Sequence, residues 1–585
     1  MIGRSVFGSR VDLGLPYFLP RSMEECLVKK RLKQALGCAL ALALGLSPLT
    51  LAGLSQVAAQ EPVAVVSVAP AEQLLKQISF LTEAAGAADV GRLVTLMASP
   101  YTAALDKTKP WGAYVVKEGE TEFTPIVFLP AKNVQILLAT FEQQIGKPQD
   151  AGDGVLEIAS DKPQPAFVKQ KGSWAFVTNK KSLLANLPDD PAKLLGGLDQ
   201  KYTIAVRINL SKLPGDWRKM AVEQMRNSFE ERMSTVKEEE RKQVKVLGES
   251  LMSSVVQMVE GLEQVTFGWK IDVEQKTTFM EFGLTAVPDS ELAKQMKLVR
   301  AEKSAFAGFL LPGAAATLHV TGKSSKQDIQ QVQLLLKSFR EAALKGIAED
   351  TKLADDQERK RAEKIVGQFL DLFENTVKLG KTDAGAVLML QPDAMNFAVG
   401  GLISDGKKLA DAVKQLAKFA QEKSSEVPEI KFDAQTYEGV TFHTVAIPLP
   451  GSQEPAQKLL GDTLQLIIGT GAKSAYLAAG KEPESLLKQV IDKSKADADT
   501  KLAPAEFMVA LTPIVETVAA ILDNPQVKGV LDILKQAEGK DRILIRTDPS
   551  ERGVVCRLEL EGGVLRVLGD VARAVAPLIQ AAFPQ

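Results

Sequence analysis

Short apolar stretches alternate with longer amphipathic ones along this chain, and they do so four times in the same order. Each recurrence opens on a short strand rich in β-branched residues: Val63 to Val68, Thr203 to Ile208, Ala316 to Val320 and Phe507 to Leu511. One or two helices follow. In the second copy Met225, Phe229, Met233 and Val236 are spaced by three and four. In the third, Ile329, Val332, Leu336, Phe339 and Ala343 keep that spacing, so each predicts a helix that buries one stripe. Ser325 and Asp328 stand as a capping box ahead of the third-copy helix. Asp216 to Leu262 reads as a helical hairpin broken near Gly248, with the run Lys237 to Lys242 as its solvated tip. Each copy closes on two strands joined by a polar turn: Ala113 to Val116 with Pro125 to Phe128, Val265 to Ile271 with Thr278 to Thr285, Ala386 to Gln391 with Ala394 to Leu402, and Ile543 to Thr547 with Val554 to Leu560.

A different module separates copies one and two, with the strands Val155 to Ile158 and Trp174 to Thr178 and a short helix at Ser182 to Leu184. Its counterpart between copies three and four has Val440 to Phe442, Ala472 to Ala478 and Ser485 to Leu487. The order unit, connector, unit therefore occurs twice, over 62–300 and 313–580, with Gly313 at the boundary. A unit of about three strands cannot bury both faces of a sheet, so neighbours must share sheets or stack helices. The expected fold is α+β, in two pseudo-symmetric halves at 60–300 and 313–585, each with a mixed or antiparallel sheet covered by long amphipathic helices. A site shared by the halves is expected at their junction, near Pro312 and Gly313.

Ahead of the first copy, Lys29, Lys30, Arg31 and Lys33 precede an apolar stretch from Ala35 to Leu54, and Val57-Ala58-Ala59 supplies small residues for cleavage. Residues 1–59 thus read as a secretory signal, with Met23 an alternative start; the competing reading is an N-terminal membrane anchor. Beyond residue 60 no apolar run is long enough to span a bilayer. Cleavage would remove Cys26 and Cys38 and leave Cys556 as the only thiol, so no disulfide could form within the exported chain. Alternation in Val554-Val555-Cys556-Arg557-Leu558 puts Cys556 on the side of Val554 and Leu558, where the thiol is expected to be buried and inert.

The chain has 585 residues, with 71 Lys and Arg against 72 Asp and Glu. That balance gives no electrostatic attraction for nucleic acid, and no basic block is present. Two His and three Cys leave almost no material for a zinc site or a Cys–His nucleophile. His319 alternates away from Ala316, Leu318 and Val320, and is expected at or near the surface, as is His443. Gly322-Lys323-Ser324-Ser325 has the ending of a phosphate loop without its leading glycine, because position 317 is Thr, and reads as a turn and helix cap. Asp189-Asp190 and Asp355-Asp356 have loop and helix-start composition, and adjacent carboxylates cannot face each other across a cleft. The dispersed Trp111, Trp174, Trp217 and Trp269 form no stacking platform. No residue is assigned as catalytic, cofactor-binding or metal-ligating, and no cofactor is expected.

Pro62 to Val68, Gly91 to Met97 and Leu187 to Leu198 resemble uncharacterised, signal-bearing exported proteins of planctomycete-type bacteria. The resemblance implies an exported, periplasmic or extracellular protein and carries over no catalytic residue. Three functions remain open. The first is a non-enzymatic structural or interaction protein of the envelope, partnered by other envelope proteins. The second is a carrier of an apolar ligand, suggested by Met220, Met225, Met233, Met252 and Met258, which otherwise pack a core. The third is a hydrolase using Asp, Glu, Ser or Lys, and the balance is against an enzyme.

Overall fold

A computed structural model describes residues 62–582, apart from 120–121, 159–164, 235–237, 351–352, 354, 425–427 and 452–453. The secretory-signal reading of residues 1–59 lies outside the described residues, as do Val236 and the first residue of the Lys237 to Lys242 run.

The fold is α+β, and its centre is a single sheet of 20 strands. Ten strands come from the first part of the chain: β1 (Ala64–Val68), β2 (Trp111–Glu118), β3 (Glu122–Leu129), β4 (Gln149–Asp150), β5 (Val155–Ile158), β6 (Ala166–Lys171), β7 (Trp174–Thr178), β8 (Ile204–Asn209), β9 (Leu262–Asp272) and β10 (Thr277–Ala286). Ten come from the second: β11 (Ala316–Lys323), β12 (Lys381–Gln391), β13 (Ala394–Leu402), β14 (Ile430–Tyr437), β15 (Val440–Pro448), β16 (Thr463–Thr470), β17 (Ser474–Gly480), β18 (Ala505–Ala510), β19 (Arg542–Ser550) and β20 (Gly553–Glu561). Every strand pairing is antiparallel, so the mixed alternative falls away.

From one edge to the middle the strands lie 4-5-6-7-3-2-1-8-9-10, and from the other edge to the middle 14-15-16-17-13-12-11-18-19-20. The second series is the first with ten added to each number. The two series meet where β10 pairs with β20, from Thr277 opposite Glu561 to Thr285 opposite Gly553.

Local chemistry sets the turns and caps. Glu438 and Gly439, both at positive φ, make the two-residue turn between β14 and β15. Ser325 and Asp328 form the expected capping box on helix Lys326–Glu349, and Asp355 caps helix Asp356–Val377 through the Glu358 N–H. Asp190 caps the 3-10 turn Pro191–Leu195, while Asp189 pairs with Lys171 at 2.8 Å.

The three larger hydrophobic cores lie toward the outer strands, where short elements rather than the long helices cover them, and two smaller ones lie at β8, β9 and β10. Helix Pro483–Ala496 and the turn Ala307–Phe309 pack on β12, β13, β15, β16 and β17 around Phe309, Phe442 and Tyr476. Leu184, Leu187 and Leu195 close the matching cluster around Trp174 and Phe176, and helix Val134–Thr140 covers the reverse side of those strands.

The long helices depart from the expected buried stripes. Helices Gly215–Ser234 and Lys326–Glu349 have no buried residue, and Met220, Met225, Met258 and Phe339 are exposed. These helices pair mainly with their own hairpin partners instead of lying flat on the sheet. Gly248 does not break its hairpin; it lies inside helix Glu238–Gly261, where a Cβ would come within 2.3 Å of the Phe229 ring, so its missing side chain admits the neighbouring helix.

Candidate functional site

Residues opposite one another in an antiparallel pair share a face, so the register sorts the central strands into two sides. On one side of β9, β10, β20, β19, β18 and β11 stand three rows. The first is Trp269, Met280, Leu558, Ile545, Phe507 and Leu318; the second is Phe267, Phe282, Cys556, Thr547, Ala505 and Val320; the third is Ile271, Thr278, Leu560, Ile543, Val509 and Ala316. No charged side chain occurs in them. The third row is partly covered, since Ile271 and Thr278 are buried, but in the first two Phe282 is 47% exposed, Phe267 44%, Leu318 42% and Phe507 38%. Cys556 is exposed as well. Alternation placed it correctly beside Val554 and Leu558, but the expectation of a buried thiol fails because nothing among the described residues covers that stretch of the apolar side.

The few polar atoms in these rows are largely committed. Trp269 donates its indole N–H to Thr278 Oγ1 at 2.8 Å, and Thr278 donates onward to the Lys270 carbonyl at 2.9 Å.

The opposite side of the same strands is charged. Glu281, Arg557, Arg546, Glu506 and His319 follow one another across β10, β20, β19, β18 and β11. Glu281 is 3% exposed and accepts from Arg557 Nε at 2.9 Å and Arg557 Nη2 at 2.5 Å; Lys201 Nζ lies 2.6 Å away and Tyr202 donates its hydroxyl. Burial alone would push this carboxyl up, but the hydrogen bonds from Lys201, Tyr202 and Arg557 outweigh it and hold the group below its ordinary value.

The junction residues Pro312 and Gly313 border a cleft of about 590 Å³ on this charged side, floored by Met508, Ala510 and Leu544. Four carboxylates line it. Asp541 accepts the Thr512 N–H at 2.6 Å, Glu561 accepts the Arg542 N–H at 2.9 Å, and Glu559 lies 3.7 Å from Arg557. Three of the four therefore hold the local fold or a neighbouring cation, which is not the arrangement of an acid and base facing a substrate.

Neither histidine is at the surface. His319 is fully buried beside Thr317 and Thr321, on the side that carries the Phe306 and Phe309 cover, and neither ring nitrogen has a partner among the described residues. His443 is also fully buried, but it accepts the Asp433 N–H on Nδ1 at 3.0 Å and meets Thr470 Oγ1 at 3.2 Å. Burial pushes both imidazoles below their ordinary value, so both are neutral at pH 7. An apolar side chain of similar size should therefore be tolerated at 319: His319→Leu is expected to raise the unfolding free energy by about 1 kcal/mol, because it removes two buried polar atoms without partners. Urea denaturation at pH 7 measures this, and a loss of stability would show that the ring has a partner after all.

Among the described residues no group of His, Cys, Asp or Glu is placed to hold a metal ion, and no helix is long and apolar enough to cross a membrane. Trp174 is buried in the core. The open apolar side was visible only in part from the alternation of β9, β10, β19 and β20. Comparison with family models, with curated proteins and with solved structures finds no match to this chain.

Proposed function

We propose that this chain is an exported, non-enzymatic interaction protein of the cell envelope, built from two duplicated halves, and that its working surface is the uncharged side of the six central strands. The observation that carries this reading is the exposure of Phe267, Phe282, Leu318 and Phe507 in registered rows without a charge. Contiguous apolar surface of that kind is unusual on a free protein and marks an interaction site.

The duplication is supported by the repeated strand order and by the register of β10 with β20, whose middle pair is Glu281 opposite Arg557. The six open strands straddle that pair. A hydrolase draws no support from the cleft, where three of four carboxylates have structural partners. A carrier of an apolar ligand is the second reading, favoured by the exposure of Met220, Met225 and Met258.

Phe282→Asp and Phe507→Asp test the surface. Both side chains are already in contact with solvent, so each variant is expected to stay within about 0.5 kcal/mol of the parent in urea denaturation, while losing binding of a hydrophobic fluorescent dye. Unfolding of both variants would put these residues in a core and defeat the reading. Undiminished dye binding would do the same for the choice of surface.

A further inference from the structure

We infer that the two open rows on β9, β10, β20, β19, β18 and β11, those of Phe507 and of Phe282, hold the acyl chains of individual long-chain lipid molecules. This rests on the reading of that side as the working surface, and its occupant is the apolar ligand of the second reading in place of a protein partner.

The first argument is hydrogen bonding. A protein partner brings backbone and side-chain polar groups and normally makes about one hydrogen bond per 100–200 Å² of interface. The two open rows offer almost nothing in return: the Trp269 indole is spent on buried Thr278, Thr278 is spent on the Lys270 carbonyl, and no Arg, Lys, Asp, Glu, Asn, Gln or Tyr stands among their twelve residues. The backbone is already paired strand to strand. Polar groups of a peptide laid here would lose water without compensation. Hydrocarbon chains have no such groups to satisfy.

The second argument is charge. The opposite side of the same strands carries Glu281, Arg557, Arg546 and Glu506, so these strands are not poor in charge; their charges are confined to one side. An uncharged surface complements an uncharged occupant.

The third argument is access. Trp217, at the start of helix Gly215–Ser234, packs edge-on against Phe123 at 5.1 Å. Phe123 shares its side of the sheet with Val127, Ala113, Val66, Val206 and Phe267. Leu292, Ala293 and Met296 of helix Glu291–Met296 pack with Val265, Leu284 and Val554 on that side. Helices thus stand beside the open rows and oppose flat contact with a second sheet or a bilayer, while a single molecule can enter. Six strands at about 4.8 Å spacing span roughly 24 Å from the first to the last, and one leaflet's chains extend about 15 Å, half of the hydrocarbon core. Acyl chains of ordinary length fit within the rows.

Cys556, in the row of Phe267 and Phe282, reports occupancy without any engineering. The test measures the labelling rate of this thiol by a small polar alkylating reagent in the chain as isolated after signal removal, with oleate, with phosphatidylcholine vesicles, or with neither, alongside sedimentation to fix the oligomeric state. The expected result is fast labelling of the delipidated monomer, slowed at least tenfold by oleate, with Phe507→Asp abolishing the protection. Fast labelling that oleate leaves unchanged would overturn the lipid assignment and leave the interaction surface standing. Slow labelling of a delipidated dimer would assign the rows to a second copy, and co-sedimentation with vesicles without protection by oleate would assign them to a bilayer; either overturns the individual-lipid reading. Slow labelling of a delipidated monomer would overturn both readings, because the chain would then cover this side itself.

Discussion

Phe309→Ala is expected to lower the unfolding free energy by about 4 kcal/mol, the range for removing a fully buried phenylalanine. The side chain is completely buried in the turn Ala307–Phe309. It stacks on Tyr476 with ring centroids 6.5 Å apart and planes 10° from parallel, and meets Phe306 at 6.2 Å. Its seat is made by two glycines. A Cβ at Gly385 would lie 2.7 Å from Phe309, and one at Gly400 would lie 2.9 Å from its ring, so the sheet gives up side chains at these places to admit the phenyl. The glycines cannot relax into the cavity that alanine leaves, so the cost should not fall to the lower end of the range. Phe507→Ala is the control: its ring is exposed, and its removal should cost less than about 1 kcal/mol. Urea denaturation of both variants measures the difference. Equal costs would mean that the boundary between the covered outer strands and the open central ones is misplaced.

That boundary explains which parts of the molecule were legible from sequence. Alternation assigned sides correctly: Cys556 falls with Val554 and Leu558, and His319 falls opposite Leu318. What alternation cannot report is the cover on each side. Cys556 was expected to be buried because apolar sides usually are, and here no element packs over it. His319 was expected near the surface because its own strand is polar on that side. Its cover comes from the separate turn containing Phe306 and Phe309, whose position depends on Asp383: Ser304 donates to Asp383 at 2.6 Å and the Ala305 N–H at 3.0 Å. Local hairpins were readable because a turn fixes their register. Strand β14, Ile430-Lys-Phe-Asp-Ala-Gln-Thr-Tyr437, was missed because it is a polar edge strand with an irregularity between Lys431 and Gln435, which breaks the period-two pattern. The contact of β1 with β8, and of β10 with β20, joins residues more than 130 positions apart, and nothing local specifies it. The stripe on helix Lys326–Glu349 was real as a spacing, yet spacing alone did not show that Phe339 would remain in solvent.

The second large effect is expected where β10 meets β20. Arg557→Leu should cost about 2 kcal/mol, below the 3–5 kcal/mol for breaking a fully buried pair, because the guanidinium is itself one-third exposed and Lys201 still reaches Glu281. The loss comes from the carboxylate: Glu281 remains 3% exposed but keeps only Lys201 and Tyr202 as donors. Glu281→Leu combined with Arg557→Leu removes the stranded charge and should recover at least half of that loss, since paired apolar replacements are often neutral. The pH dependence has a definite sign. A carboxyl held low in the folded chain stabilises fully above its unfolded value of 4.5 and loses that contribution as pH falls through its folded value. Lys201 is held above its ordinary 10.5: burial pulls it down, but hydrogen bonds to Glu281 and Tyr202 prevail, so its contribution is complete below 10.5 and is lost as pH rises through the folded value. The cluster therefore stabilises across the whole neutral range. In Arg557→Leu the carboxyl has one strong donor fewer, its folded value rises toward 4.5, and the acid arm flattens. Urea midpoints from pH 7 down to pH 3 should show the parent losing more stability than Arg557→Leu, with the two curves converging at the acid end. Parallel curves over that interval would mean that Arg557 does not act through the charge of Glu281.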